Sequence, residues 1–399
     1  MVADLGVARK VTGGACSAKR AAMSIAAISH LGDAAACPRL LLKVGSALLV
    51  ERGGAVRREW LEGLAAEIAE ARDRGQQVVV VSSGAIALGA ARLGLAQGGR
   101  ASLADAQAAA AVGQIALSAV WAELLGTHGL TAAQLLLTLD DLEDRRRYLN
   151  ASSTLARLLE QGAVPVVNEN DSVATAEIRF GDNDRLAARV AQAAGADAVV
   201  LLSDVDGLFD RDPRDPAAEL VREVTGVDES VRAMAGAGSG SGMGSGGMVS
   251  KLQAAEIAGR AGIALAIVNG THERPLSRAL GQDRGTLFHA LRRDGGRKAW
   301  LGGRIAPAGV LTVDEGCAAA LGGGSSLLAA GVIEVDGEFV RGDLVTIHGA
   351  KGDRLAQGLI EYSAAECRAI AGRKAGEQAD LLGYAPRAAV VHRDHMVLL

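Results

Sequence analysis

The sequence predicts an α/β protein, a mainly parallel sheet sandwiched by helices, followed by a small β-rich domain. Three observations carry this expectation. Between residues 39 and 288, short apolar runs alternate with longer stretches of helical periodicity. One run holds Val78, Val79, Val80 and Val81 in succession, as a strand buried on both faces requires. Beyond residue 299, runs such as 309–313, 331–335 and 343–347 are separated by Gly and Asp, the pattern of short strands joined by turns.

Residues 40–44 open the series as a strand, and 57–74 follow as a helix with Leu61, Leu64 and Ile68 on one face. Residues 77–82 form the valine-rich strand. Helices are expected over 85–95 and 101–125, a strand over 134–138, a helix over 142–161 and a buried strand over 164–167. A helix over 185–194, a strand over 198–203, a helix beginning near Met248 and a strand over 263–268 complete the alternation. Strand–helix–strand repeats favour parallel pairing, because each helix returns the chain to the same end of the sheet. The pattern ends near 285–288. Residues 289–298 are basic and glycine-containing, as a linker is; 299–385 form the second domain and 386–399 a C-terminal segment. Residues 1–38 are rich in Ala, Gly and Ser and lack a secretory apolar core, so they read as a disordered extension outside the fold. A transit-like segment or a start at Met23 are open alternatives.

Composition narrows the function classes. Apolar residues make up 49% of the chain but aromatics only 3%, which implies aliphatic, closely packed cores. A formal charge of -4 and a pI near 6.0 argue against general nucleic-acid binding. Cys16, Cys37, Cys317 and Cys367 are scattered, which fits a reducing, cytoplasmic setting. His392 and His395 have no suitably spaced Cys or acidic partner, so no metal site is expected. No apolar run reaches the roughly 18 residues a membrane span needs.

Chemistry concentrates in a few places. Asn168-Glu169-Asn170-Asp171 follows the buried run 164–167, and Gly181-Asp182-Asn183-Asp184 lies ten residues on. Carboxylates and carboxamides just past a strand's end suit a polar ligand of an open α/β sheet, although a solvated loop has the same composition. Lys43 interrupts the first apolar strand, and must reach water or an anion. Ser82-Ser83-Gly84-Ala85 joins a buried strand to a helix start, where small donors cap the helix or bind an anion. The Gly/Ser tract 236–247 has a linker's composition, yet it runs directly into Lys251 at a helix start, the arrangement of an anion site.

Lys43-Val44-Gly45-Ser46, Ser82-Ser83-Gly84-Ala85-Ile86, the two acidic-amide clusters, Ser203-Asp204-Val205-Asp206-Gly207 and Gly246-Gly247-Met248-Val249-Ser250-Lys251 occur in one order. That series resembles the amino acid kinase superfamily and, within it, the glutamate 5-kinases. Thr312-Val313-Asp314-Glu315-Gly316, Gly324-Ser325-Ser326-Leu327-Leu328 and Gly342-Asp343 are similar to a PUA domain. The resemblance covers about residues 38–396. Ser203 stands where the family more often has Thr, which keeps the hydroxyl.

The resemblance implies an amino acid kinase fold and ATP-dependent phosphorylation of the L-glutamate γ-carboxylate, the first step of proline synthesis. It implies Lys43, Asp184 and Lys251 as the catalytic group, with the lysines neutralising phosphoryl charge and Asp184 orienting them. Ser83, Asp171 and Asn183 are implied to hold glutamate, Asp171 through the α-ammonium. ATP falls to Lys43, Ser203, Asp204 and the loop Ser245, Gly246, Gly247, Met248, Val249, Ser250 and Lys251, with Mg2+ accompanying the nucleotide. A homo-oligomer with proline as feedback inhibitor is also implied. PUA domains are typical of RNA-modifying enzymes, but residues 299–385 carry seven basic and eleven acidic residues, which disfavours a phosphate backbone. The alternatives are an aspartokinase or acetylglutamate kinase, and an RNA-binding or regulatory protein with an inactive kinase domain. The β-rich tail and the Asn168–Asp171 cluster argue against the first, and Lys43, Asp184 and Lys251 against the second.

Overall fold

Parallel strands and their crossover helices account for most of the chain up to residue 288. The computed structural model describes residues 25–51, 53–173, 182–236, 247–291 and 307–399. Gly181, Ser245, Gly246, most of the tract 236–247 and most of the linker 289–298 lie outside the described residues. The order is β1 (Arg39–Val44), α1 (Ser46–Leu49), α2 (Arg58–Asp73), β2 (Gln77–Ser82), α3 (Ala85–Leu93), α4 (Leu103–Gly126), β3 (Ala132–Leu137), α5 (Leu139–Glu143), α6 (Arg145–Glu160) and β4 (Val164–Glu169). There follow α7 (Asp182–Ala194), β5 (Ala198–Ser203), β6 (Glu223–Val224), α8 (Glu229–Gly236), α9 (Met248–Arg260), β7 (Ala264–Asn269), α10 (Pro275–Gln282) and β8 (Thr286–Phe288). These strands form one eight-stranded sheet in the order β3-β4-β2-β1-β5-β7-β8-β6. Its pairs are parallel except for β7 with β8.

The two-residue period of a strand divides the sheet's side chains between two cores. Leu41, Val79, Val81, Val199 and Leu201 pack with α6, α7 and α9. Leu40, Leu42, Val44, Val78, Val80 and Val200 pack with α2, α4 and α10. Lys43 alternates with Leu42 and Val44, so it faces the α7 and α9 side with Leu41. That single parity decides which helices a buried lysine meets.

On the opposite face α3 and α4 approach each other through glycine. A Cβ on Gly113 would lie 1.8 Å from the carbonyl oxygen of Ala85, and one on Gly89 1.8 Å from that of Ala109. Any side chain there would force the helices apart. By length and composition α4 could cross a membrane, contrary to the expectation that no segment reaches that limit. The Ala-rich helix has no charged residue between Asp105 and Glu123. Ala109, Ala110, Gly113, Leu117, Trp121 and Leu124 form its buried face, as in a core helix.

Several boundaries differ from expectation. Residues 25–38, assigned to a disordered extension, hold a short 3-10 helix whose Ile28 and Leu31 are buried in the second core. The buried Gln76 carboxamide fixes this segment by donating to the carbonyls of Leu31 and Cys37 at 2.9 and 2.8 Å. The helix expected over 142–161 is broken at Asp144, whose side chain accepts from Arg147 N and starts α6. Helix α7 begins at Asp182 rather than at 185, which places Asn183 and Asp184 in its first turn.

The second domain is a five-stranded sheet in the order β10-β9-β11-β12-β13. Its elements are β9 (Gly309–Val313), α11 (Glu315–Gly322), β10 (Val332–Gly337), β11 (Leu344–Gly349), β12 (Arg354–Leu359), α12 (Ala364–Ile370), α13 (Ala375–Leu382) and β13 (Met396–Leu398). The segment 386–399 is thus part of this sheet, because β13 pairs antiparallel with β12. The domain docks on α6. Leu344 and Leu359 join the first core, Arg146 Nε donates to Arg341 O at 3.0 Å, and the Arg341 guanidinium reaches Asn150 and Glu361. The His395 ring meets Tyr148 edge-on at 5.9 Å.

Candidate active site

Lys43, Asp184 and Lys251 come together although they are far apart in sequence. Lys43 reaches up from β1, Asp184 from the first turn of α7, and Lys251 from the first turn of α9. Lys43 Nζ lies 2.6 Å from Asp184 Oδ1, and Lys251 Nζ donates to Asp184 Oδ2 at 3.1 Å. Asp184 is fully buried and each lysine is 8% exposed. Burial pushes the Asp184 carboxyl up, but the ammonium groups of Lys43 and then Lys251 outweigh it and hold the group below its ordinary value. Two like charges drawn to one carboxylate remain close together, and a buried ion group of this kind is weak ground for stability. It is well suited to receiving an anion.

The amide residues lie beside it, at the carboxyl ends of β2 and β4. Asn183 Nδ2 donates to Ser83 Oγ at 2.7 Å, joining α7 to the β2–α3 turn. That turn requires Gly84, which adopts φ 113° as it caps α3. Strands β2 and β4 pair in the register Val81↔Val167, so Ser82 and Asn168 stand side by side. Asp171 lies half-buried in the turn after β4, and desolvation pushes its carboxyl up to about 6. Among the described residues, the buried oxygens Asn168 Oδ1 and Asn183 Oδ1 accept no hydrogen bond. A buried carbonyl-type oxygen left unmatched is costly, and calls for a donor from water or a ligand.

Ser203 ends β5, the other neighbour of β1, and Asp204 follows it; Lys43 pairs with Leu201, two residues before Ser203. Ser203 Oγ donates to Asp204 Oδ1 at 3.3 Å, and Asp204 is exposed. Gly247 caps α9 and is exposed, with Met248, Val249 and Ser250 in the helix's first turn ahead of Lys251. The sequence reasoning gave no role to Asn168 or to Gln114, which lies inside α4 and accepts from Asn168 Nδ2 at 2.8 Å. Asn168 was legible as a cluster member; Gln114 had only its polarity in an apolar helix to mark it.

A lysine pair on a buried carboxylate, at the carboxyl end of a mainly parallel sheet, is an arrangement able to receive a phosphoryl group. The model of the amino acid kinase family matches residues 38–269, and that of the PUA domain residues 309–381. Curated relatives refine this. A glutamate 5-kinase of Novosphingobium aromaticivorans is 64% identical over 94% of this chain and its own full length. That of Sphingopyxis alaskensis is 64% identical over 92% of the chain and 98% of its own, and that of Zymomonas mobilis 56% identical over 91% and 92%. The chain belongs to the glutamate 5-kinase family.

Proposed function

We propose that the protein transfers the γ-phosphoryl group of ATP to the γ-carboxylate of L-glutamate, forming γ-glutamyl phosphate at the entry to proline synthesis. The observation that carries this reading is the convergence of Lys43 and Lys251 on buried Asp184. The acceptor carboxylate is ionised near pH 7, so no base is needed to create the nucleophile. Two anions must instead be aligned while charge on the transferred group is neutralised. In this reading Lys43 and Lys251 supply that neutralisation, and Asp184 keeps both side chains aimed.

Glutamate is held by Ser83, Asp171 and Asn183, with the α-ammonium on Asp171. The nucleotide is held by Lys43, Ser203, Asp204 and the loop 245–251. Magnesium screens phosphate charge when it travels with ATP. Asp184 has both oxygens committed to lysines, which fits a cation carried on the nucleotide. By family likeness we also propose a cytoplasmic homo-oligomer inhibited by proline.

The test is an acceptor comparison. Purified protein with MgATP is offered L-glutamate, L-aspartate or N-acetylglutamate, and the acyl phosphate is trapped with hydroxylamine. Hydroxamate should form with glutamate. Turnover of aspartate or N-acetylglutamate without glutamate would overturn the reading.

A further inference from the structure

We infer that Gln114, in α4, is a positioning residue that fixes which end of the Asn168 carboxamide faces the amino-acid substrate. An Asn side chain presents an oxygen and an NH2 of nearly equal size, and its terminal torsion is broad. Something must therefore choose between them. Gln114 Oε1 accepts from Asn168 Nδ2 at 2.8 Å, which commits the NH2 end to α4. The Oδ1 end is left buried and, among the described residues, without a partner.

Gln114 is itself held. Its Nε2 donates to Ser118 Oγ at 3.3 Å, and Ser118 Oγ donates to Gln114 O at 2.8 Å. The neighbouring Gly113 is locked against the backbone of α3. Two turns of helix further on, the buried Trp121 Nε1 donates to Ser82 Oγ at 2.9 Å, beside the proposed substrate residue Ser83. Helix α4 thus fixes residues at the ends of both β2 and β4.

The consequence is chemical selection. A substrate ammonium offers three donors and no acceptor. Asn168 Oδ1 can accept from it, whereas a reversed carboxamide would set donor against donor. This inference rests on the glutamate reading, because it requires an acceptor that carries an ammonium group.

Steady-state kinetics of Gln114→Leu and of the length-preserving Gln114→Met test it. The glutamate KM should rise about tenfold for loss of one positioning hydrogen bond, with kcat and the ATP KM within about twofold. In an Asn168→Ala background the same substitution should change kcat/KM by less than about twofold, because Gln114 acts through Asn168. An unchanged glutamate KM in both variants, or an equal effect in both backgrounds, overturns the inference. So does a parallel loss of kcat and ATP affinity. The unsubstituted protein separates the two readings. If it does not phosphorylate glutamate, the proposed function fails and takes this inference with it; if it does, the outcomes above bear on Gln114 alone.

Discussion

Burial acts on both Asp171 and Asp184, ammonium groups oppose it at Asp184, and the two carboxylates are driven in opposite directions. The lowered value of Asp184 contributes stability that is present above its unfolded value and lost as pH falls. The raised value of Asp171 does the reverse: its penalty grows as pH rises from the ordinary 3.8 through about 6. A group held in this way gains most when a substrate cation arrives. The glutamate KM should therefore be flat near neutrality and rise as pH drops below about 6, where Asp171 takes up a proton. The substrate γ-carboxylate, with an ordinary value of about 4.3, remains ionised over that interval. Asp171→Asn should show a high and nearly pH-independent KM. Equal KM values for the unsubstituted protein at pH 5.5 and 7.5 would remove Asp171 from ammonium binding.

At the scale of elements, α4 is the part whose role the sequence revealed least. Its helical state was legible from composition, and so were the strands of the sheet, because long periodic or uniformly apolar segments carry a local signal. The pairing of α3 with α4 was not, since it depends on Gly89 and Gly113 meeting across 24 residues of chain. Gly113→Ala should destabilise the protein by about 3 kcal/mol through overpacking against backbone, read as a fall in the urea midpoint. A midpoint equal to that of the unsubstituted protein would show that α3 and α4 can separate without loss. The remaining misses have local and non-local causes. The break at Asp144 is a side-chain cap inside an otherwise helical pattern. Residues 25–38 look like an extension by composition, and join the fold through two apolar contacts and the amide of Gln76. Short elements such as β6, β8 and α10 are fixed by their neighbours.

For the whole molecule, the parallel arrangement brings the carboxyl ends of β1, β2, β4 and β5 to one edge of the sheet. Residues from Lys43 to Lys251 meet there, which is why motifs spread over half the chain describe one site. Order along the chain made the family legible, while only the fold shows that Lys43 and Lys251 share Asp184. The second domain docks on α6, where burial pushes the His395 imidazole down to about 4 and keeps it neutral against Tyr148. Helix α6 also contacts α7 through Ser152 Oγ, which donates to Ala193 O at 2.8 Å, so the docked domain braces the helix that carries Asn183 and Asp184. The central claim is that two lysines gathered on a buried carboxylate neutralise the transferred phosphoryl group. It is tested most directly by single-turnover phosphorylation of glutamate, at saturating MgATP and glutamate, in Lys43→Ala and Lys251→Ala. The account predicts that each folded variant loses at least about a hundredfold in rate. A rate within about twofold of the unsubstituted protein in either variant would contradict it.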